Sequence, residues 1–532
     1  MDLLWQFLLG LLPIIWLIIA LTAIKLPGYI ACSTSILFAA GVAIFYKTMP
    51  VVDTATAALD GVLNALWPIL LVIIAALFVY NLSLKTGGME TIKKMLSGVS
   101  EDRRILALII GFGFGFFMEG MAGFGTAVAI PAGILVAMGF DALPTVLALL
   151  IVNAAPTAFG SVGVPTVTLA SVTGLSELAL SSNTIIIEAL LMFLSPFIMV
   201  CVIGKGVKAL KGIWHIVLIS SLAMLIPEFV FGYFVGPQLP DIIGSIICMV
   251  VTVVLALATR KRPVPEEYRM SRPEGEEKVK TGEAVKAWSP FILIALLLVI
   301  TSSLLPFING PLSSIKTTVN IFTGDSSKTL SFAWINTPGI WIIISGIVGG
   351  LIQGMKFIEI VKTFFQTIGK NWKTIITICS VLATAKIMQF SGMTMDVAET
   401  LVAVTGKYFP FLSPIVGTIG AFVTGSGTST CVLFGPMQAS TAEAIGMSPE
   451  WLAAANSLGA GIGKMISPSN VAIGAVAAGL AGKENKIIGK AFKYVIIFVV
   501  ISGLLCFFMP KIFNLYAEKT HAIRSIPHSE YS

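Results

Sequence analysis

Apolar stretches recur along nearly the whole chain, and each is long enough to cross a bilayer core of roughly 30 Å as a helix of about 20 residues. Polar and charged residues concentrate in the segments between them. The pattern predicts twelve crossing segments, near residues 3–24, 26–46, 62–84, 143–172, 184–204, 213–235, 239–259, 288–306, 338–355, 373–391, 449–481 and 493–509. We therefore expect an all-α polytopic membrane protein without a sizeable soluble domain.

Two further apolar segments are interrupted by glycines. Residues 105–118 form an arm of roughly 21 Å at 1.5 Å per residue, which is too short to cross. The chain then breaks at GMAGFG and continues in a second arm at 126–140. Residues 408–446 repeat this pattern, with prolines in the first arm and a break at TGSGT. The sequence predicts two re-entrant hairpins, at 105–140 and 408–446.

Composition and charge agree with this layout. The chain is 56% hydrophobic and 11% charged, whereas soluble domains carry about a quarter charged residues. If both hairpins return to their starting side, the inner loops hold 25 Lys and Arg residues and the outer segments hold seven. This asymmetry predicts that both termini are extracytoplasmic and that residues 260–287 are a cytoplasmic linker. The net charge of +7 reflects topology and gives no reason to expect a nucleic-acid partner.

The two halves of the chain share ordered landmarks. These are LPG (26–28) with TPG (337–339), AGFGT (122–126) with TGSGT (424–428), and Asn153 and Pro165 with Asn456 and Pro468. Since the halves start on opposite sides, they are predicted to be inverted repeats, as in many alternating-access transporters. Glycines that only pack helices are the alternative. The predicted layout is a first span (1–25), a first repeat (26–204), connecting spans with the linker (205–337), a second repeat (338–509) and a C-terminal tail (510–532).

The interrupted helices predict a site for a small anion. The second hairpin arms begin at Gly125–Thr126 and at Thr428–Thr430, where unpaired N–H groups and hydroxyls can bind a carboxylate. The crossing segments that follow are also broken, so four helix N-termini are expected to converge, with Ser467 as an N-cap. The alternative is kinks whose hydroxyls bond to their own backbone. The predicted substrate-binding residues are Gly125, Thr126, Asn153, Thr428, Ser429, Asn456, Lys464 and Ser467.

Charged residues inside apolar segments supply candidates for coupling. Glu119 lies near mid-depth and is the predicted proton-coupling residue, with a salt bridge or a cap as the alternative. Lys464 is expected to meet either Glu119 or the substrate carboxylate. Lys386 has no partner that the sequence identifies, and snorkelling is an alternative for both lysines. A further group of acids lies near span ends and is expected to be interfacial: Glu188, Glu228 and Asp241.

The sequence shows no recognisable motif for an enzyme active site, a cofactor site or a metal site. It contains no HExxH motif, and GAGIGKM lacks the spacing of a Walker A loop. The six cysteines lie in apolar segments without metal-ligand spacing. We therefore expect no enzymatic activity, no cofactor, no metal and no driving energy from ATP bound to this chain.

Four motifs resemble those of the bacterial L-lactate permease family across essentially the whole chain: EGMAGFGTAVAIPA (119–132), IVNAAPTAFGSVGVP (151–165), VTGSGTST (423–430) and GKMISPSNVAI (463–473). The resemblance implies proton symport of L-lactate, with D-lactate and glycolate, across a bacterial cytoplasmic membrane. By position, the family motifs fall on Glu119 to Thr126, Thr424 to Thr430 and Gly463 to Pro468. The family's TGSDT reads TGSGT here, and Gly427 replaces the acid, which leaves Glu119 as the main carboxylate.

Other interpretations stay open on the sequence alone. A carrier with broken helices can bind Na⁺ through unwound carbonyls and hydroxyls, here around Asn153 and Asn456. An anion channel would conduct without accumulating its substrate. The expected partners are a small carboxylate, a proton and the lipid bilayer. The preferred acid, the stoichiometry and the oligomeric state are left open by the sequence.

Overall fold

The computed structural model describes residues 3–123, 125–270 and 279–524. In the first half the helices are α1 (Leu3–Thr22), α2 (Gly28–Tyr46), α3 (Val51–Lys85), α4 (Gly88–Ser97), α5 (Arg103–Met121), α6 (Thr126–Ala137), α7 (Ala142–Val152), α8 (Pro156–Thr173), α9 (Glu177–Ile203), α10 (Trp214–Phe234) and α11 (Pro240–Ala258).

In the second half the helices are α12 (Thr281–Thr301), α13 (Pro306–Ser314), α14 (Pro338–Ile352), α15 (Phe357–Lys370), α16 (Trp372–Phe390), α17 (Met393–Thr405), α18 (Phe409–Thr424), α19 (Gly427–Ala444), α20 (Pro449–Lys464), α21 (Pro468–Ala477) and α22 (Glu484–Arg524). Between α13 and α14, strands β1 (Lys316–Asn320) and β2 (Thr329–Ala333) form an antiparallel hairpin in which Lys316 is opposite Ala333.

The predicted helical membrane architecture is confirmed. Within the described residues, ten helices are long and apolar enough to cross a membrane, and α7 with α8 makes an eleventh as a pair bent by 66°. Two predicted spans, 338–355 and 449–481, contain shorter helices, since α14 ends at Ile352 and the second span breaks after Lys464. The β-hairpin was not predicted. The inverted repeats stay a prediction.

The segment 105–140 folds back on itself. Gly115 of α5 packs against the carbonyl of Ala127 in α6, so the two arms run side by side. The two ends meet as well, because the Arg103 guanidinium lies 5.5 Å from the centre of the Phe140 ring. The first arm is longer than expected, since α5 has 19 residues and could cross by length alone.

One short loop, residues 205–211, contacts both ends of this segment. Arg104 Nη1 donates to the carbonyl of Lys211 at 3.1 Å, and Lys205 forms an ion pair of 2.7 Å with Asp141. The hydrogen bond and charge of Lys205 lower the pKa of Asp141, which follows α6. Since both ends bind the same loop, they lie on the same side of the fold, which agrees with a re-entrant hairpin, and its position in a membrane stays a prediction.

Residues 408–446 also form an antiparallel helix pair. Ser413 Oγ donates to Gln438 Oε1 at 2.9 Å, and Gln438 Nε2 returns a bond to the Ser413 carbonyl at 3.1 Å. The break falls at Gly425, whose φ of +71° ends α18 and is accessible to glycine at little cost. Helix α19 then begins at Gly427, one residue before the predicted start.

Two helices, one from each half, lie at the centre of the fold. The apolar span of α5 is buried along its whole length, and in α20 every residue from Trp451 to Lys464 is buried. Gly459 and Gly463 let α20 approach the backbone of α18, and Gly461 lets it approach the carbonyl of Ala154. These three glycines serve close helix packing.

The linker and the tail differ from the expected layout. Tyr268 stacks on Arg104, with its ring centre 4.1 Å from the guanidinium carbon, so the start of the linker is attached to the first hairpin. Helix α12 begins at Thr281, inside the predicted linker, and residues 271–278 lie outside the described residues. Helix α22 continues to Arg524 through the predicted tail, whose residues 525–532 also lie outside the described part.

Candidate functional site

The tips of the two helix pairs meet at a cavity of about 320 Å³, which we call the central cavity. Small-molecule sites in proteins are typically ~300–1,000 Å³. Its lining residues are Pro27, Gly28, Tyr29, Glu119, Gly123, Gly125, Thr157, Gly160, Ser161, Pro165, Lys373, Thr374, Thr377, Ile378, Thr424, Gly425, Ser426, Gly427, Thr428, Ser429, Lys464 and Asn470. Both halves of the chain therefore contribute to one volume.

A buried ion pair forms part of the cavity wall. Lys464 Nζ lies 2.7 Å from Glu119 Oε1, and the second oxygen, Oε2, has no hydrogen-bond partner in the described chain. Both residues lie in the last turns of their helices, where the helix dipole favours a cation and disfavours a carboxylate. Lys464 therefore stabilises a charge on Glu119 that the local backbone opposes. Gly160 gives Glu119 room, because a Cβ there would lie 2.9 Å from Oε1.

Both tips press against serines of the helix breaks that follow them. Gly123 has a φ of +60°, and a Cβ there would overlap Ser161 Oγ, which donates to the carbonyl of Ala122 at 2.9 Å. At the other tip, a Cβ on Gly425 would overlap Ser469 Oγ. Each tip is thus fitted to the break in the next segment of its own half.

The start of α19 presents hydrogen-bond donors to the cavity. Ser426 occupies the N-cap, where its hydroxyl accepts from the N–H of Ser429 and its carbonyl from that of Thr430. The first two N–H groups, of Gly427 and Thr428, have no acceptor within the helix. The hydroxyls of Thr428 and Ser429 form no hydrogen bond within the described chain and line the cavity.

The break in α8 has an unusual backbone. Ser161, Val162 and Gly163 adopt left-handed angles, with φ values of +47°, +59° and +76°. The helix restarts after them, and Pro165 lies in the first turn of the restarted part, where its missing N–H costs no hydrogen bond. Ser161 and Pro165 border the central cavity.

Five of the nine predicted site residues line the central cavity: Glu119, Gly125, Thr428, Ser429 and Lys464. The other four lie outside its lining. The hydroxyl of Thr126 donates to the carbonyl of Gly123 at 2.7 Å, and so bonds to its own loop. Ser467 holds the N-cap position of α21, but its hydroxyl contacts Ser469 Oγ at 3.0 Å instead of capping the helix.

Asn153 and Asn456, which occupy matching positions in the two halves of the sequence, are both buried and do not line the central cavity. The Oδ1 atom of each has no hydrogen-bond partner in the described chain. Asn456 Nδ2 lies 3.5 Å from the carbonyl of Thr430, within α19. These two amide oxygens are therefore buried neutral acceptors without a described donor.

Sequence reasoning missed several lining residues. Thr374 and Thr377 lie three residues apart on one face of α16, in the mostly apolar first turns of that helix, and this spacing was a signal in the sequence. Asn470, whose Nδ2 donates to the Gly425 carbonyl at 2.9 Å, lies within the GKMISPSNVAI motif. The contribution of α2 through Tyr29 had no such signal, because it depends on tertiary packing.

The sequence profile of the L-lactate permease family matches residues 6–513. The chain belongs to this family. It is 41% identical to an L-lactate permease of Streptococcus iniae over 450 residues, which cover 85% of this chain and 94% of the relative. It is 33% identical to an L-lactate permease of Escherichia coli (strain K12), with 94% of each chain covered. A glycolate permease of the same organism is 31% identical, with 95% of this chain and 96% of the relative covered.

These relatives confirm the resemblance read from the motifs, and they are permeases, so the chain is a transporter and not an enzyme. A crystal structure of the YdaH transporter of Alcanivorax borkumensis covers 81% of this chain and 88% of its own, with 12% identity. Its TM-score of 0.36 is too low to support an argument about function.

Gly427, where the resemblance led us to expect an acid, faces Thr157 in this member of the L-lactate permease family. A Cβ at this position would lie 2.6 Å from Thr157 Cγ2. Thr157 lies at the start of α8 in the first half, so the second tip approaches that segment closely only because Gly427 has no side chain. An acid here would require Thr157 to move.

Three acids expected at the membrane interface are instead buried. Glu188, Glu228 and Asp241 lie on three neighbouring helices, α9, α10 and α11, and are at most 1% exposed. No described donor bonds to any of their six carboxyl oxygens. The carboxyls of Glu228 and Asp241 are within reach of each other, and Asp241 lies against Gly120, next to Glu119. Their burial was not predicted, because packing against other helices, and not depth along the span, determines it.

Lys386, like Lys464, is buried beside a carboxylate. Its Nζ lies 3.7 Å from Oδ1 of Asp60 in α3, so it does not snorkel to the surface. Among the described residues, no group of three or more His, Cys, Asp or Glu side chains is arranged to hold a metal ion.

Proposed function

We propose that the protein is a proton-coupled symporter of L-lactate and related small 2-hydroxy monocarboxylates, D-lactate and glycolate, in a bacterial cytoplasmic membrane. The family and its glycolate-transporting relative support this substrate class. The observation that carries the coupling proposal is the Glu119–Lys464 ion pair in the wall of the central cavity.

Charge balance in a buried site links the proton to the substrate. The ion pair is neutral while the cavity is empty, and a monocarboxylate adds one negative charge, which is costly away from water and which the solvent-exposed Lys373 at the rim offsets only weakly. A proton on Glu119 removes that charge and releases Lys464 from its partner. Lys464 then pairs with the substrate carboxylate, and the loaded cavity is neutral again. Binding of the anion and of the proton therefore favour each other.

The start of α19 supplies the remaining contacts of the proposed site. The N–H groups of Gly427 and Thr428 favour an anion at a helix N-terminus. The hydroxyls of Thr428 and Ser429 can bond to the 2-hydroxyl and the carboxylate of the substrate. A hydroxy acid of two or three carbons fits easily within about 320 Å³.

Access to the cavity supports an inward-open state. Tyr29 and Lys373 lie at its rim, and the positive-inside pattern assigns their ends of α2 and α16 to the cytoplasmic side. We propose the same orientation for the chain as a whole, with both termini outside. Inverted repeats around the two tips would then exchange inward and outward access.

The buried acids provide a second argument for a proton as the coupling ion. Holding three carboxylates charged without donors costs several kcal/mol each, whereas protonated carboxyls can bond to one another. Asp241 lies at the start of α11, on the predicted outer side, and borders the residue next to Glu119. Glu188, Glu228 and Asp241 therefore offer carboxyl groups that could carry a proton between the outer side and Glu119.

Sodium coupling is the second candidate, and it has an observation of its own. The unpaired Oδ1 atoms of Asn153 and Asn456 are neutral oxygens of the kind that Na⁺ binds beside broken helices. In this case the sodium charge, and not a proton on Glu119, would balance the substrate.

Uptake of labelled L-lactate into proteoliposomes of the purified protein separates these possibilities. We expect accumulation from an acidic exterior in Na⁺-free buffer, and little stimulation by a membrane potential alone, because one proton with one monocarboxylate carries no net charge. Accumulation that requires a sodium gradient would support the second candidate. Equilibration without accumulation would indicate a channel. Competition by glycolate, pyruvate and a dicarboxylate then defines the substrate class.

A further inference from the structure

A second cavity, of about 640 Å³, lies beyond the break in α8. We call it the outer cavity. Val162 and Val164 line it, whereas Ser161 and Pro165 line the central cavity, so the left-handed segment separates the two. Helix α16 borders both, with residues 373–378 at the central cavity and residues 386–390 at the outer one. The β-hairpin covers the outer cavity with residues 327–331 and 333.

A buried cation, Lys386, faces this cavity, and within the described chain the carbonyl of Ser171 is its only hydrogen-bond acceptor. Lys386 Nζ lies 3.5 Å from the carbonyl of Ser171 and 3.7 Å from Asp60 Oδ1, in contrast to the 2.7 Å of the Lys464 pair. A charge-assisted hydrogen bond is usually ~2.7–2.9 Å long, and an ammonium group has three N–H donors. Lys386 is therefore attracted to Asp60 without being hydrogen-bonded to it. The side chain has capacity for an anion that enters the cavity.

We propose that the outer cavity is a second binding station for the carboxylate substrate, with Lys386 as its cationic contact and Asp60 as the counter-ion in the empty state. This proposal rests on the proposed function. The two stations repeat one arrangement, a buried lysine beside a carboxylate at a cavity. Ile378 and Lys386 are eight positions apart, which corresponds to about 12 Å along α16. The substrate would move this distance past the break in α8.

The outer station also accounts for the charge of the β-hairpin. Lys328, in the turn before β2, lines the cavity and adds a second positive charge, and the carboxylate of Glu177, which also lines it, accepts a hydrogen bond from Gln238 Nε2 at 3.1 Å. An anion that approaches from the predicted outer side therefore meets Lys328 first and Lys386 at the base. The side chains of Val162 and Val164 offer no polar contact to the anion. It would therefore reach the central cavity only after the broken segment of α8 moves.

Protection of single cysteines from a thiol reagent tests the proposal. In the purified, detergent-solubilised protein, both substrate and reagent have access to both faces. In a cysteine-free background that retains lactate exchange after reconstitution, we place one reporter at Ser171 in the outer cavity and one at Ser429 in the central cavity. A third cysteine, at the exposed Ser314, serves as a control outside both cavities. We expect L-lactate to protect the first two from a charged thiol reagent and to leave the third unprotected.

The variant Lys386→Gln identifies the contact. It should raise the L-lactate concentration for half-protection at position 171 at least tenfold, while protection at position 429 changes less than twofold. Lys407→Gln, an exposed lysine on the same predicted side, is the matched control and should change neither. Two results would overturn the outer station alone. One is protection at position 429 with none at position 171. The other is protection at position 171 that Lys386→Gln does not change. A protein that neither exchanges lactate nor shows protection at position 429 would overturn the proposed function.

Discussion

Lys464 Nζ lies 2.7 Å from Glu119 Oε1, although 345 residues separate the two in the chain. Each residue lies in the last turn of the buried central helix of its own half, so the pair joins the two halves at the central cavity. Removing one member of a buried ion pair typically costs ~3–5 kcal/mol, because the other charge is left uncompensated. The pair therefore connects the stability of the fold with the charge state of the cavity.

Glu119→Gln should abolish accumulation driven by a pH gradient and spare exchange of L-lactate. The amide mimics the protonated carboxyl, so Lys464 stays free to hold the substrate, but no proton is released with it. Exchange and accumulation are measured in the same proteoliposomes, with the exposed Glu359→Gln as the control. Full pH-driven accumulation by Glu119→Gln would show that the coupling proton resides elsewhere.

Lys464→Gln should destabilise the protein by ~3–5 kcal/mol and abolish lactate binding, because Glu119 loses the only described cation within ion-pair distance. The double variant Glu119→Gln, Lys464→Gln removes both charges and should recover at least half of that stability, but no binding. Unfolding free energies in detergent give the coupling between the two positions. Additive losses would mean that the two side chains do not interact as an ion pair.

The sequence predicted the local features of the site better than its surroundings. Glycine-rich breaks and half-helix starts are local, and they led to Glu119, Gly125, Thr428, Ser429 and Lys464. Asp60 was missed because the first turns of α3, from Val51 to Asn64, are amphipathic and fall below a hydropathy threshold. Hydropathy measures depth in the bilayer, and it does not report which side chains other helices cover.

The acid group illustrates this limit. Glu188 lies in the first turns of the predicted span 184–204. However, α9 begins at Glu177, so Glu188 is well inside the helix. Asp241 does lie at a helix start, yet α5 covers it at Gly120. The contact between α5, α10 and α11 is tertiary, so no spacing within the sequence could reveal it.

The triple variant Glu188→Gln, Glu228→Gln, Asp241→Asn should unfold at the same temperature as the parent protein, or higher. Neutral amides match protonated carboxyls in shape, and no described cation is lost with them. Infrared spectra should show the C=O band of protonated carboxyls in the parent and its decrease in the variant. A clear loss of stability, or no difference between the spectra, would show that the three acids are charged and compensated.

Gly123→Ala should inactivate transport, and Ser161→Gly should restore part of it. The added methyl would overlap Ser161 Oγ, and a non-glycine residue at a φ of +60° costs roughly 1 kcal/mol more. Glycine at position 161 removes the overlap and suits its own left-handed backbone. Lactate exchange of the single and double variants measures the rescue. Gly133→Ala, where the nearest atom would lie 3.8 Å away, is the control and should remain active. Equal activity of the single and double variants would refute the steric account.

The left-handed turn in α8 affects how the conformations of the protein are populated. Left-handed backbone costs ~1–2 kcal/mol for each non-glycine residue, and Ser161 and the β-branched Val162 both adopt it. A conformation that returned both residues to a right-handed helix would recover ~2–4 kcal/mol, which is between one and three orders of magnitude in relative population. The left-handed turn is therefore kept only if other interactions stabilise it by more than this amount. These are the contacts of Ser161 with the first tip and the contacts of the two cavities with bound substrate.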